Sequence, residues 1–194
     1  MTTMRAALRR YFDENGFGDD GGYSAEWVDF KLGPIPFPLP NTEARKKAVR
    51  FHDLNHLLTG YRTDLAGEFE ISAWELGAGC KSFHAAWVLN MGGLAAGAAF
   101  FPKRTWRAFI AGRRSGGAAY ALDYDEALAL ELDAVKQRLG VRSEGEASLI
   151  DAALFGLGVL GGMMTGLMML AVLLSPITLV LWWRGRSHHA MPAS

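Results

Sequence analysis

The chain has 194 residues, half of them apolar, and its 20 Lys and Arg residues balance its 20 Asp and Glu residues. This length accommodates one buried domain with an appendage and argues against two independent enzyme domains. The charge balance gives no support for a nucleic-acid partner. Cys80 is the single cysteine, so an intrachain disulfide is excluded, and we expect its thiol to be buried and to serve packing.

The N-terminal part of the chain predicts a helix, a loop and an extended segment. The first twelve or so residues lack the apolar run of a secretory signal and suit a first helix better than a weak organelle-targeting segment. Turn formers cluster over residues 15–22. Within residues 33–40, prolines alternate with Ile35, Phe37 and Leu39. Alternating prolines exclude a helix and favour an extended strap packed on the domain over an SH3-type ligand.

Two helices joined by a short turn follow. Asn41 or Thr42 offers an N-cap for the first helix, and the turn falls at residues 59–60. Asp64 can cap the second helix, which is expected to run to about Ala78.

This helix pair concentrates side chains of the types that bind metals. His52 and His56 are four residues apart, so they share one helix face, and Asp53 lies beside them. Glu68 stands at the start of the second helix, where an antiparallel return brings it towards the histidines. The set predicts a site for zinc or another divalent metal, built as helical bundles build such sites.

The sequence predicts further helices downstream. Residues 85–101 carry no charge, which favours a buried helix or one that lines an apolar pocket. Basic and aromatic residues are interleaved over 103–114, a pattern that suits either anionic lipid headgroups or a solvated face. Asp123 and Glu126 begin one predicted amphipathic helix that ends at Gly140.

The C-terminal segment predicts a membrane helix. Residues 152–183 carry no charge, and the stretch closes with Trp182 and Trp183 ahead of Arg184 and Arg186. It exceeds one span, so a tilted helix, a break near residues 175–176 and a re-entrant hairpin are alternatives. Residues 187–194, which include two histidines, are expected to form a disordered tail.

A glycine repeat within this segment indicates close helix packing. Gly158, Gly162 and Gly166 recur at every fourth position. Such spacing fits self-association into a homo-oligomer or packing on Gly93 and Gly97, with simple lipid exposure as the alternative.

The His-Asp-x-x-His pattern has several interpretations. Its histidines can merely form hydrogen bonds. An HD-type phosphohydrolase needs a further metal-binding histidine upstream, and no histidine precedes His52. A zincin-like metallohydrolase would need Asp53 to act in place of the usual glutamate base.

The motif also resembles the Coq4 family of ubiquinone biosynthesis proteins. The matching elements, quoted in order, are Arg50, His52-Asp53-Leu54-Asn55-His56, the Leu-Leu-x-Gly turn at residues 57–60, Leu65-Ala66-Gly67-Glu68 and Trp74-Glu75. The resemblance covers mainly residues 45–80, and the C-terminal span is an addition to it.

The resemblance implies an all-α, membrane-associated protein that binds a divalent metal, usually zinc, with iron or manganese as alternatives. The implied ligands are His52, Asp53, His56 and Glu68, and the implied substrate is a polyprenylated hydroxybenzoate or another isoprenoid lipid. Removal of its C1 carboxyl group, coupled to hydroxylation, would take place among other quinone biosynthesis proteins. A non-catalytic lipid-binding scaffold is the alternative.

Further expectations concern residue roles and layout. Glu75 and Arg62 are candidates for contacts with the substrate or with the ligands. The helical metal-binding domain is expected to occupy residues 1–146 and the membrane anchor residues 147–186. The location expected is a bacterial inner membrane, with the domain on its cytoplasmic side.

Overall fold

A computed structural model describes residues 2–32, 35–173, 175 and 180. Over these residues the chain is mostly helical, with one short two-stranded sheet. The elements are α1 Met4–Asn15, β1 Trp27–Leu32, β2 Ile35–Pro40, α2 Glu43–Thr59, α3 Leu65–Ala78, α4 His84–Phe100, α5 Pro102–Arg114, a 3-10 turn Ala119–Ala121, α6 Tyr124–Ala129, α7 Leu132–Arg138 and α8 Leu149–Leu173.

The proline-rich segment departs from the all-α expectation. Its extended backbone was expected, but β2 pairs with β1 in an antiparallel hairpin, in which Trp27 lies opposite Pro40 and Phe30 opposite Phe37. Pro36, Pro38 and Pro40 occupy alternate positions of β2. Alternate residues of a strand direct their backbone groups to opposite edges, so the prolines, which have no N–H, leave the donors of the other positions for β1.

Helices α2 and α3 have the predicted boundaries because their capping residues are the expected ones. The Thr42 side chain accepts a hydrogen bond from the backbone N–H of Arg45, and Gly60 ends α2 with a φ of 75°. The Asp64 side chain accepts from the N–H of Gly67 at the start of α3. Each cap satisfies backbone groups that the helix itself leaves unpaired.

Helix α4 lies between α3 on one side and α8 on the other, and α3 also packs on α5. Ile71 and Trp74 of α3 and Leu94 of α4 are fully buried where these helices meet. The prediction of a buried or pocket-lining helix over residues 85–101 is therefore confirmed for one face of α4. Cys80 belongs to the same core, and its thiol is buried as expected.

The predicted amphipathic helix between residues 123 and 140 is two helices. Its capping residue is correct, since the Asp123 side chain accepts from the N–H groups of Asp125 and Glu126. The helix breaks because the backbone at Leu130 and Leu132 bonds to the N-terminal residues instead: Met4 donates to Leu130 and Leu132 donates to Thr2. Long-range backbone pairing thus overrides a continuous local pattern.

Helix α8 is long and apolar enough to cross a membrane over Leu149–Met168, and only 11% of its most apolar window is buried. Its first turn is fixed to α5, because Asp151 forms ion pairs with Arg113 at 3.0 Å and Arg114 at 2.5 Å. Pro176 and residues 182–194 lie outside the described residues. The predicted aromatic belt, basic anchor and disordered tail all fall within residues 182–194.

The glycine repeat packs α8 on α4, although not on the predicted partners. A side chain at Gly158 would meet Leu94 at 2.6 Å, and one at Gly162 would meet Ala95 at 2.7 Å. Gly93 and Gly97 turn the other way, Gly93 against Ser72 of α3 and Gly97 against Phe69 and Thr105, because α4 is covered on two faces. The prediction that α8 packs on Gly93 and Gly97 is therefore wrong.

The basic residues of α5 have mixed surroundings. Arg104 pairs with Glu70 through two hydrogen bonds of 2.9 and 2.6 Å, and Arg113 and Arg114 bind Asp151. Lys103 and Arg107 are exposed. Three of these basic residues therefore form ion pairs that connect α5 to α3 and α8. Neither the lipid-headgroup prediction nor the solvated-face prediction included such pairs.

Candidate metal centre

Helix α2 brings its two histidines to one point at the edge of the core. Residues four apart lie one above the other on a helix, and the ring centroids of His52 and His56 are 4.7 Å apart. Their Nε2 atoms are separated by 3.1 Å. His56 is buried, and the His52 side chain is 21% exposed.

Glu68 completes a set of three donors from the first turn of α3. Its Oε2 lies 3.3 Å from Nε2 of His52, and its Oε1 lies 3.4 Å from Nε2 of His56. Among the described residues, His52, His56 and Glu68 form a group whose donor atoms all lie within 4.8 Å of one another. The structure thus brings together three of the four predicted ligands.

The spacing of these three donors fits a metal ion. A tetrahedral ion with bonds of about 2.0–2.1 Å separates its ligand atoms by roughly 3.3–3.4 Å. In this site the two Nε2 atoms are 3.1 Å apart, and each lies 3.3 or 3.4 Å from a different oxygen of Glu68, so the three side chains are close enough to surround one ion. Two imidazoles and one carboxylate are also the ligand set of many catalytic zinc sites and of non-haem iron sites, both of which keep further positions open.

Hydrogen bonds on the far side of each ring orient the Nε2 atoms inward. Nδ1 of His56 lies 2.9 Å from the backbone oxygen of Tyr61, which can only accept, so Nδ1 carries the proton. Nδ1 of His52 lies 2.9 Å from a carboxylate oxygen of Glu75. This arrangement turns both Nε2 atoms towards Glu68, where each can donate a hydrogen bond to the carboxylate when protonated or bind a metal when deprotonated.

Glu75 is the centre of a buried polar network. Its side chain is fully buried and accepts hydrogen bonds from Asn55 at 2.9 Å, from Tyr120 at 2.7 Å and from Asn90 at 2.5 Å. These bonds, together with the one to His52, occupy its oxygens. Glu75 therefore positions His52, and its oxygens have no free side facing the donors.

The charges of Glu68, Glu75 and His52 shift one another's pKa values. Burial raises the pKa of Glu68, but hydrogen bonds from His52 and His56 outweigh it and lower that pKa to about 2. Burial lowers the pKa of His52, yet the charges of Glu75 and Glu68 raise it well above its usual value. The negative charge gathered here favours a bound cation of either kind, a proton or a metal ion.

Asp53 occupies a different position from the one predicted. It is not part of the three-donor group; its oxygens accept from Tyr11 at 3.4 Å and from Tyr23 at 2.5 Å. The reason is helical geometry, since one residue after His52 the side chain points about 100° away, towards α1. Tyr11 links the two sets, because its ring stacks on His56 with centroids 5.7 Å apart.

Arg62 lies away from the donors. Its side chain is 78% exposed and pairs with Asp64 at 2.6 Å. It lines a separate surface groove beside Tyr61, where His56 contributes to the wall. The structure therefore gives Arg62 no contact with the cavity described next.

A cavity of about 420 Å³ opens onto the donor group. Its polar lining residues include His52, Asp53 and Glu68, and its apolar ones include Ala86 and Leu89 of α4. Other lining residues are Tyr11, Phe17, Gly21, Arg45, Ala48, Val49, Ser72, Asn90 and Tyr120. Such a site can hold a metal on one side and a largely apolar molecule on the other.

Sequence reasoning missed several partners of this site, among them Tyr11, Tyr23, Asn90 and Tyr120. Asn90 had a usable signal, because it is the one amide side chain in the uncharged stretch 85–101. A lone amide in such a stretch needs a buried partner. The tyrosines had none, since each reaches the site from another element of the fold.

Comparison of the chain with family models, with curated proteins and with solved structures finds no match in any of the three. The resemblance to the Coq4 family therefore rests on the motif residues quoted above.

Proposed function

We propose that this protein is a Coq4-like, metal-dependent enzyme that removes the C1 carboxyl group of a polyprenylated hydroxybenzoate at a membrane. One observation carries the proposal: a cluster of three donors, of which His52 and Glu68 line a cavity that Val49, Ala86 and Leu89 also line. A prenylated aromatic acid has these two parts, an anionic head and a hydrocarbon tail. The resemblance of the motif supports the same substrate class.

His52, His56 and Glu68 would hold the metal beside the cavity that His52 and Glu68 line. A metal bound there would act as a Lewis acid for the carboxylate or phenolate of the substrate and stabilise the negative charge that develops. Zinc suffices for this role. Iron or manganese is required if the metal also takes part in oxidation.

The reaction needs a place for electrons and a proton. When the bond between C1 and the carboxyl carbon breaks, carbon dioxide leaves and the electron pair stays on the ring. In simple decarboxylation a proton then adds at C1, and Asp53, which accepts hydrogen bonds from the hydroxyls of Tyr11 and Tyr23 at the cavity wall, would relay that proton. Coupled hydroxylation would instead place one oxygen atom of dioxygen at C1, and the second would leave as water with two electrons from an external two-electron reductant and two protons.

The apolar parts of the molecule fit a lipid-soluble substrate. Leu89 and Val49 line the cavity, and α8 provides an uncovered apolar helix for association with the membrane. The proposed setting is a bacterial inner membrane with the domain on the cytoplasmic side, in contact with other quinone biosynthesis proteins.

A metallohydrolase is the weaker enzyme assignment. Its general base would be Asp53, the residue after the first histidine. Both oxygens of Asp53 accept hydrogen bonds from tyrosine hydroxyls instead, and the residue points towards α1.

A non-catalytic scaffold is the second candidate, and the uncovered face of α8 favours it. Leu157, Leu160 and Leu167 are 64%, 59% and 67% exposed, an apolar surface suited to lipid or to partner helices. In that case the metal would only stabilise the pairing of α2 with α3.

Lipid analysis of a deletion strain tests the assignment. The strain is restored with wild type, Glu68→Gln or Glu70→Gln, and its quinone intermediates are measured by mass spectrometry. Glu70→Gln is the matched control, because Glu70 lies on the same helix but pairs with Arg104. We expect a carboxylated prenyl precursor to accumulate with Glu68→Gln alone.

Two other outcomes contradict this expectation in different ways. An unchanged lipid profile in the deletion strain removes the pathway assignment. If Glu68→Gln lacks metal, keeps its circular dichroism spectrum and still restores the quinone, the metal has no catalytic role and the scaffold is favoured.

A further inference from the structure

The outer face of α4 forms one continuous apolar surface with α8. Helix α4 is covered by α3 on the side of Asn90, Gly93 and Gly97, and by α8 on the side of Met91, Leu94 and Ala95. The remaining strip, called the outer strip below, consists of Ala85, Val88, Leu89, Gly92, Ala96 and Ala99, which follow helical spacing. It contains no charged residue.

Within the described part of the chain, Val88, Leu89 and Ala99 of this strip are exposed and its other three residues are half-buried. Val88 is 51% and Leu89 43% exposed, and a side chain built at Gly92 meets nothing within 4 Å. Isolated exposed apolar residues are ordinary, but a strip that continues into the exposed face of a long apolar helix is not.

Helices α4 and α8 lie side by side along a shared length. Gly162 packs on Met91 and Ala95, and Gly158, one turn earlier in α8, packs on Leu94. Lipid that surrounds this length of α8 therefore also reaches α4. Lys81 precedes α4, and Lys103 and Arg107 follow it, so exposed cations stand at both ends of the uncharged strip, where anionic headgroups would meet them.

We infer that the hydrocarbon of the bilayer covers the outer strip of α4 as well as α8, so that the metal-centre cavity opens directly beside lipid. Leu89 makes the connection, because it belongs to the outer strip and also lines the cavity. A lipid-soluble substrate then enters sideways past Leu89 without crossing water. This route rests on the proposed function, whereas the lipid contact itself does not.

Lipid quenching of a fluorescent label tests the contact. In the full chain carrying Cys80→Ser, a single cysteine is placed at Val88 or Ala96 and labelled with an environment-sensitive dye. Leu160 on α8 is the positive control, and Gln137, exposed on α7, is the negative control. The proteins are reconstituted in phosphatidylcholine and phosphatidylglycerol vesicles with or without acyl-chain spin labels.

We expect quenching at Val88 and Ala96 of at least about half that at Leu160, and none at Gln137. Quenching at Leu160 alone would mean that α8 enters the bilayer without the domain, which overturns the inference. Blue-shifted but unquenched labels on α4 would mean that a second copy of the chain covers the strip, which also overturns it.

A charge placed at the entrance tests the route. Leu89→Glu should leave the zinc content unchanged and increase the carboxylated precursor several-fold in the restored deletion strain. Leu65→Glu is the matched control, because Leu65 is 65% exposed but lies on α3 outside the strip. Full restoration by Leu89→Glu would refute sideways entry.

The two proposals fail separately. Quenching on α4 with a lipid profile that never changes would retain the lipid contact and remove the quinone assignment. Precursor accumulation with Glu68→Gln, but no quenching on α4, would retain the quinone assignment and remove the lipid contact of α4.

Discussion

The metal centre and helix α8 stabilise their surroundings by opposite means. Around Glu75, polar groups are buried and almost every one has a hydrogen-bond partner, so removal of one group leaves several others unpaired. Around α8, contact depends on the absence of side chains at Gly158 and Gly162, and most of the helix surface is uncovered. The first region should be intolerant of small chemical changes, and the second of small changes in volume.

The largest effect is expected from Glu75→Ala. It removes a buried acceptor from His52, Asn55, Asn90 and Tyr120, and breaking a buried charged pair costs about 3–5 kcal/mol. Thermal or urea unfolding followed by circular dichroism measures the loss. A free energy of unfolding equal to that of wild type would show that the network does not stabilise the fold.

Metal removal should have the next largest effect. A ligand at a hundred times its Kd stabilises a folded protein by about 2.7 kcal/mol. A chelator should therefore lower the Tm of wild type, and Glu68→Gln should begin at the lower Tm and not respond. Equal responses in the two proteins would place the metal elsewhere.

Overpacking between α4 and α8 should cost less. In Gly162→Val the new side chain meets Ala95, and such overpacking costs about 1–3 kcal/mol. Gly166→Val is the control on the same helix, because a side chain there meets nothing within 4 Å. Calorimetry of the two variants in detergent measures the difference, and equal values would show that α8 does not dock as described.

Asp53→Asn should leave the metal content almost unchanged. Asp53 lies outside the three-donor group and is held by Tyr11 and Tyr23. Metal analysis of the purified variant beside Glu68→Gln decides the point. A loss of metal as complete as that in Glu68→Gln would restore Asp53 as a ligand.

The smallest effect concerns the reactivity of Cys80 at different pH values. Burial, with a contribution from the charge of Glu75, raises the pKa of this thiol to about 12. Because the thiolate is the reactive form and forms only near that pH, iodoacetamide should not modify the folded protein at pH 8. Mass spectrometry should detect full modification in guanidinium, and rapid modification of the folded protein would show that the core opens locally.

The sequence predicted those parts of the fold that are coded locally. Thr42, Gly60 and Asp64 define α2 and α3 through caps that involve near neighbours. The pairing of α6 and α7 with the N-terminus depends on distant backbone groups, which no local pattern records. The pairing of β1 with β2 is local, but alternating prolines do not resemble the usual pattern of a paired strand.

The same distinction holds for the site. His52 and His56 were predicted to lie together because residues four apart share one face of a helix. Glu68 was predicted to join them because a short turn brings the next helix back beside the first. Asn90 and Tyr120 reach Glu75 from α4 and from the 3-10 turn, so their roles follow only from the folded arrangement.

The alternating prolines of β2 have a consequence for solubility. Pro36, Pro38 and Pro40 occupy the positions whose N–H groups would otherwise point outward, so the outer edge of β2 offers carbonyls but no donors. A strand from another molecule cannot form a regular ladder on such an edge. A protein with so much exposed apolar surface on α8 is thereby protected from aggregation through the β2 edge of its only described sheet.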